Sequence, residues 1–146
     1  MVRVRPLIMK LLTFQARRFA WKSYSKTLEE ASEERVEGEL TEAVVAFCHA
    51  EASDEEPSQR ARVFRHALKH IKWLANKRGL RNIVLHSFTH LGAENAAPDF
   101  ASMLLDELAE RLRGTGYEVR TTPFGWFCEW ELSVHGDSLA KVWKQV

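Results

Sequence analysis

Two segments of the 146-residue chain carry residue types that can bind and hydrolyse a small molecule. The first spans 83–98, IVLHSFTHLGAENAAP, and begins as an apolar run that predicts a buried strand. Its polar residues follow at Ser87, Thr89, His90, Glu94 and Asn95. An imidazole can move protons near neutral pH, and a polar loop at a strand end is a usual ligand site in α/β folds. A loop with a surface histidine is the alternative interpretation.

The second segment spans 122–136, TPFGWFCEWELSVHG. Pro123 fixes a backbone angle, and Gly125 permits a close approach of the chain to a ligand. Flat rings for base stacking are offered by Phe124, Trp126 and Phe127. By itself the segment is also typical of a hairpin with a core aromatic set.

Composition and charge fit one globular domain over residues 1–146. Hydrophobic residues make up 45% and charged residues 28%, and no apolar run approaches the roughly 18 residues that a membrane span needs. The basic N-terminus lacks a small-residue cleavage site, so we expect a first strand there instead of a signal sequence. Cys48 and Cys128 lie far apart, which indicates neither a disulfide framework nor a zinc knuckle and favours a reducing, cytoplasmic setting.

Charge is distributed in blocks although the net charge is only +1. Every charged residue in 3–26 and in 60–81 is positive, whereas acidic residues dominate 29–56. A local basic face can bind phosphates even when the total charge is near zero, although a solvated surface explains the same pattern.

Periodicity predicts six strands and three helices around the two segments. The predicted strands are 7–13, 17–25, 43–51, the run from 83, 117–121 and 126–134, with a solvated connection at 27–41. The predicted helices are 59–78, 99–113 and 138–145. Strand and helix alternate only in the middle, which favours an α/β (α+β-like) fold with a mixed β-sheet and helices packed on it. His66 and His70 have a metal-ligand spacing but no apparent third ligand, and no nucleotide motif occurs, so no metal or cofactor is predicted.

Taken together, SFTHL at 87–91 and TPFGWFC at 122–128 resemble the archaeal-type editing domain of threonyl-tRNA synthetase. That family shows a P-F-A-H-L-like strand end and then a P-F-G-[WY]-[YF]-K strand. The resemblance implies a D-aminoacyl-tRNA deacylase-like fold, usually a homodimer, and hydrolysis of serine wrongly esterified to threonine tRNA. It implies binding of the aminoacyl-adenosine 3′ end of tRNA, with a threonyl-tRNA synthetase as a further candidate partner. Because 146 residues are too few for a synthetase core, we expect a free-standing domain.

Site residues follow from the resemblance by position. The candidate catalytic residues are His90, Cys128 and Lys141. The candidate substrate-binding residues are Glu51, Phe88, Thr89, Pro123, Phe124, Gly125, Trp126 and Phe127. We therefore expect His90 and the Pro-Phe-Gly turn to share one cavity.

The chain departs from the family pattern at several of these positions. The family lysine after P-F-G-W-Y is Cys128, and the family glutamate of the terminal helix is Lys141. The His-Pro of a family turn is Asp137-Ser138, and an H-S-D-like loop is replaced by 13–15, TFQ. Three interpretations stay open: Lys141 restores the lost charge, Cys128 acts as a nucleophile with His90, or the domain binds an aminoacyl-adenosine end without cleaving it.

Overall fold

The computed structural model describes residues 9–92 and 94–146. Its α-helices and strands are, in chain order, β1 (Lys10–Lys26), β2 (Glu37–His49), α1 (Pro57–Arg78), β3 (Asn82–Ser87), α2 (Pro98–Gly114), β4 (Glu118–Thr121), β5 (Trp126–Val134) and β6 (Lys141–Gln145). The strands form one sheet in the order β4-β3-β2-β1-β5, and β6 pairs with the first half of β1. The β2-β3 and β3-β4 pairs are parallel and the others antiparallel, which confirms the predicted mixed sheet.

The first strand is continuous from Lys10 to Lys26, and the predicted division into two strands, 7–13 and 17–25, is wrong. β1 pairs with β2 in one register from Lys10 to Lys22, and its pairing with β5 shifts by one residue at a bulge between Ala16 and Arg18. A bulge inserts one residue and shifts the side-chain alternation, so that Phe14 before it and Phe19 after it pack on the same face. The sequence pattern shows this shift as a break between two strands. Residues 7 and 8 of the first predicted strand lie outside the described residues.

The predicted C-terminal helix at 138–145 is also wrong. A short 3₁₀ turn, Ser138–Ala140, leads into β6, which pairs with Lys10–Phe14 of β1. β5 separates from β1 beyond Val134, and β6 covers the part of the same edge that β5 leaves. An unpaired strand edge exposes backbone donors and acceptors, so the tail is used as a strand. The predicted connection at 27–41 is shorter than expected, because β2 already begins at Glu37.

The predicted long helices are confirmed as α1 and α2, and they cover one face of the sheet. Pro57 occupies the first turn of α1, and Gly79 ends it with a left-handed backbone at φ 66°. The buried core on this face includes Val63, Ala67, Ile71 and Leu74 of α1, Leu104, Leu108 and Leu112 of α2, and Leu11, Val44, Ala46, Ile83 and Leu85 of the sheet.

The opposite face is aromatic and concave. Phe19, Trp21 and Phe47 are at most 3% exposed there, although α1 and α2 lie on the other side. The two outermost strands, β4 and β5, are joined by only four residues, 122–125. Flat pairing would separate them by about 19 Å, more than a link containing a turn can span, so the sheet must curl. Arg120 of β4 accordingly lies 5.1 Å above the ring of Trp21 on β1.

Candidate functional site

A cavity of about 340 Å³ opens at the C-terminal end of β3, inside the curl of the sheet. It is lined by the end of β3 and the loop after it, 86–90, by Asn95, Ala96 and Pro98 at the start of α2, by 122–125, and by side chains of β5. The structure thus brings SFTHL and the Pro-Phe-Gly turn to one cavity, as the sequence predicts. The volume lies at the lower end of the range for small-molecule sites.

Backbone geometry makes the turn at 122–125 depend on glycine. Gly125 has φ 79°, and its carbonyl accepts hydrogen bonds from the N–H groups of Thr27 (2.7 Å) and Leu28 (3.3 Å). A Cβ at this position would lie 2.8 Å from the Cβ of Ala31. The close approach that the sequence suggests for Gly125 is therefore to the β1–β2 connection, which closes one side of the cavity.

Aromatic rings form the floor of the cavity. Phe88 lies 5.2 Å from the ring of Phe47 and 5.1 Å, edge to face, from His90. Trp130 packs 5.4 Å from Phe47 and remains 42% exposed. Trp126, Cys128 and Trp130 share this face of β5, as alternation predicts, and the ring of Phe127 is 58% exposed at the rim. The floor can stack a purine ring.

His86 is a cavity residue that the sequence reasoning missed. Its Nδ1 lies 2.8 Å from Oγ1 of Thr122, and its ring packs 4.9 Å from Phe47. Burial lowers the pKa of His86 to about 4, so the ring is neutral near neutral pH. The alternation of His86, Phe88 and His90 on one face of a strand is the signal that could have found it.

His90 and Cys128 both line the cavity, but they differ in environment. His90 is exposed, and among the described residues it has no hydrogen-bond partner. Burial raises the pKa of the Cys128 thiol, which favours the thiol over the nucleophilic thiolate.

Lys141 and Glu51 lie outside the cavity. Lys141 pairs with Phe14, whereas Cys128 pairs with Ser23, nine residues further along β1 and thus about 30 Å away along the strand. The Lys141 ammonium donates to the carbonyl of His135 at 3.2 Å. The interpretation that Lys141 replaces the missing charge beside Cys128 is therefore wrong, because the terminal segment is a strand at the far end of the sheet.

Glu51 is fully buried behind the loop that joins β3 to α2. Its carboxylate forms an ion pair with Lys10, whose side chain is 12% exposed, and its N–H donates to Oδ2 of Asp54 at 2.8 Å. Asp54 is also fully buried, and burial raises its pKa to about 6. Within the described residues, Oε2 of Glu51 and Oδ1 of Asp54 have no hydrogen-bond partner. The structure separates Glu51 from the residues that line the cavity.

The lining of the cavity carries no Lys, Arg, Asp or Glu side chain among residues 9–92 and 94–146. Its titratable groups in these ranges are His86, His90 and Cys128. A larger and shallower groove of about 1240 Å³ runs between α1 and α2, where charged pairs such as Arg60 and Glu107 face solvent. The uncharged, aromatic cavity suits a base and an ester better than that groove does.

The fold is that of an α/β domain of the D-aminoacyl-tRNA deacylase-like type. A solved structure described as the c-Myc DNA Unwinding Element Binding Protein matches 94% of this chain and 98% of its own, with a TM-score of 0.66 and 12% sequence identity. This likeness shows the fold alone. In the described part of the chain, neither helix combines the length and apolar character that a membrane crossing requires.

Residues 9–146 match the family model described as the Archaea-specific editing domain of threonyl-tRNA synthetase, and the chain belongs to this family. Threonine–tRNA ligase of Staphylothermus marinus is 33% identical over 94% of this chain and 22% of its own length. That of Thermococcus onnurineus is 35% identical over 80% of this chain and 18% of its own length. The chain thus spans about a fifth of the curated relatives it matches, and the resemblance carried by SFTHL and TPFGWFC is confirmed.

Proposed function

We propose that this domain removes serine from mischarged Ser-tRNA(Thr). Membership of the editing family and the shared cavity of His90 and the Pro-Phe-Gly turn support the proposal. Serine lacks one methyl group of threonine, and a pocket gains only about 1–3 kcal/mol from such a group. The site that attaches the amino acid to tRNA therefore accepts serine at a measurable rate, and a second site is needed to hydrolyse the mischarged tRNA.

The chemistry is ester hydrolysis assisted by the substrate. Water attacks the carbonyl carbon of the aminoacyl ester, the bond from that carbon to the ribose oxygen breaks, and the ribose oxygen takes up a proton. Free serine and an uncharged tRNA end are released. Because the described lining has no carboxylate or ammonium, the neighbouring ribose hydroxyl of the tRNA takes the part of orienting the water.

Each lining residue has a proposed part in this reaction. The adenine ring stacks on the aromatic residues Phe88, Phe124, Trp126 and Phe127, while the turn at Pro123 and Gly125 and the backbone of Thr89 contact the ribose. His90 accepts or relays the proton of the attacking water, since its ring is exposed to the cavity. Cys128 supplies an uncharged wall and not a nucleophile, since its thiol pKa is raised.

Deacylation of Ser-tRNA(Thr) and Thr-tRNA(Thr) tests the proposal. The protein should accelerate loss of the seryl ester over buffer and leave the threonyl ester largely intact. His90→Ala should lower the seryl rate by about a hundredfold. His66→Ala, on the exposed side of α1, is the matched control and should not change it. Loss of both esters at the buffer rate would contradict the hydrolase.

A second candidate function is binding without cleavage. The observation that favours it is the absence of an ammonium group from the described cavity lining, where the family lysine is replaced by Cys128. A non-hydrolysable seryl-adenosine analogue should then bind while no tRNA is deacylated. Failure of the analogue to bind would contradict both functions. A screen across charged tRNAs separates the seryl specificity from that of a deacylase acting on another amino acid.

We further propose that the domain acts in the cytoplasm as a homodimer that binds the 3′ end of tRNA, with a threonyl-tRNA synthetase as a partner. Family membership supports the tRNA interaction. Sedimentation equilibrium should give twice the chain mass of 16.8 kDa. A monomer mass at micromolar concentration would contradict the dimer.

A further inference from the structure

The loop between β3 and α2 is hydrogen-bonded to residues at the end of β2 on both sides of residue 93. The N–H of Phe88 donates to the carbonyl of Cys48, and the N–H of Ala96 donates to that of Ala50, each at 3.0 Å. A Cβ at Gly92 would lie 3.2 Å from Cε1 of His49, so the loop passes directly over this ring. Because these contacts fix the loop at both ends and in its middle, its side chains enter the cavity in defined positions.

His49 is the buried centre of these contacts, and its hydrogen bonds define its tautomer. The side chain is 0% exposed, and its Nδ1 accepts a hydrogen bond from the N–H of Leu91 at 3.2 Å. A ring nitrogen that accepts a hydrogen bond carries no hydrogen, so the hydrogen is on Nε2. Nε2 lies 2.7 Å from the carbonyl oxygen of Glu94 and 2.6 Å from Oδ1 of Asn95, and both oxygens are acceptors.

This tautomer fixes the orientation of the Asn95 carboxamide. The oxygen and nitrogen of an amide are told apart by the partners they face, and the N–H of His49 requires the oxygen. The Nδ2 group of Asn95 is then the end left for the cavity, which Asn95 lines. In the described part of the protein, Nδ2 donates to no acceptor.

Two other donors at the cavity are already engaged. The indole N–H of Trp126 donates to the carbonyl of Ser32 at 2.9 Å, and Oγ1 of Thr122 pairs with His86. The described lining has no Lys or Arg. The Asn95 amide is thus an uncharged donor whose orientation is set by His49, and it lies at the polar end of an otherwise aromatic cavity.

We propose that Nδ2 of Asn95 donates a hydrogen bond to the carbonyl oxygen of the aminoacyl group, and that His49 is the positioning residue that orients it. This inference rests on the proposed binding of an aminoacyl-adenosine end. The amino group of the ligand is a cation with donors only, so it cannot pair with Nδ2, whereas the carbonyl oxygen is an acceptor. During water attack this oxygen gains negative charge, which a preoriented side-chain amide stabilises without a charged residue.

Affinity measurements with two ligands test the contact at Asn95. The probes are adenosine and an amide-linked seryl-adenosine, which retains the carbonyl oxygen and is not hydrolysed. Asn95→Asp keeps the shape of the side chain but replaces the donor by an acceptor, and it should weaken the seryl analogue by about tenfold to a hundredfold. Adenosine affinity should change less than threefold. Asn76→Asp is the charge-matched control, because its Oδ1 accepts from Tyr117 and the carboxylate can do the same.

The outcomes separate this inference from the proposed function. Selective weakening of the seryl analogue supports the contact. If the wild type binds the analogue and Asn95→Asp binds it equally well, or loses both ligands equally, the assignment of Asn95 falls while the proposed function stands. If the wild-type protein binds neither ligand, both fall.

The part played by His49 has its own readout. A long-range ¹H–¹⁵N NMR spectrum should show His49 as the Nε2–H tautomer in wild type, and the Nδ1–H tautomer would overturn the inference. His49→Gln keeps a donor near the place of Nε2 and should retain most of the seryl-analogue affinity, whereas His49→Leu should lose it as Asn95→Asp does. Because the side chain of Asn95 is exposed, its variants should unfold at the wild-type temperature. Thermal unfolding therefore shows that a loss of affinity is not a loss of folding.

Discussion

The two polar regions at the C-terminal end of β3 differ in charge and in exposure. The cavity is open, aromatic and free of charged side chains in its described lining. The ionic cluster behind the loop, formed by Lys10, Glu51 and Asp54, is buried and charged. Charge in this part of the molecule thus lies behind the loop and does not line the cavity. The proposed hydrolysis must depend on neutral donors and on the ribose hydroxyl of the tRNA.

Breaking the ionic cluster should have the largest effect. Glu51→Gln leaves the nearly buried ammonium of Lys10 without its counter-ion, and we expect a loss of about 3 kcal/mol in the free energy of unfolding measured with urea. Glu110→Gln removes the exposed partner of Arg113 and should cost less than about 0.5 kcal/mol. Equal losses of unfolding free energy in the two variants would contradict the conclusion that the ionic cluster stabilises the fold.

Acidification should destabilise the folded protein through His86, the buried one of the two cavity histidines. The pKa of His86 is lowered by burial to about 4, below its unfolded value of 6.5, so its contribution to stability is present above pH 6.5 and is lost as the pH falls towards 4. The loss from this group is about 3 kcal/mol. His86→Asn retains a partner for Thr122 and does not titrate, so its urea midpoint should fall less between pH 6.5 and 4. Parallel pH profiles for both proteins would refute this.

Asp54 should show the opposite sign in the same pH range. Burial raises its pKa from 3.8 to about 6, so its favourable contribution is present below pH 3.8 and is lost as the pH rises through 6. Asp54→Asn should therefore stabilise the protein at pH 7 by about 1–2 kcal/mol, after allowance for solvent screening, and leave it unchanged near pH 4. Destabilisation at pH 7 would show that the ionised carboxylate is required.

Placing a charged side chain in the uncharged cavity should have the smallest effect of the four changes. Cys128→Lys restores the residue of the family pattern, and the ammonium should raise the deacylation rate of Ser-tRNA(Thr) by about tenfold, or ~1.4 kcal/mol. Cys128→Ser is the control and should stay within about twofold of wild type, because the proposed mechanism does not use the partly buried thiol as a nucleophile. A collapse of activity in Cys128→Ser would reinstate the thiol in the chemistry.

Local patterns predicted the elements that position the site. The stripe of α1, the polar end of β3 at Ser87 and the alternation of Trp126, Cys128 and Trp130 on β5 are all present in the structure. These features depend on residues close together in the chain, where side-chain period and turn residues decide the conformation. The errors arose where pairing partners are distant, at the bulge of β1 against β5 and at the tail that became β6.

The sequence by itself determined the family, the two motifs and the prediction that His90 and Gly125 would meet. Only the tertiary structure decided that Lys141 lies far from Cys128 and that buried His49 orients Asn95. The physical reason is that these relations depend on strand register, on the curl of the sheet and on hydrogen bonds between residues more than 40 positions apart, which no local pattern encodes.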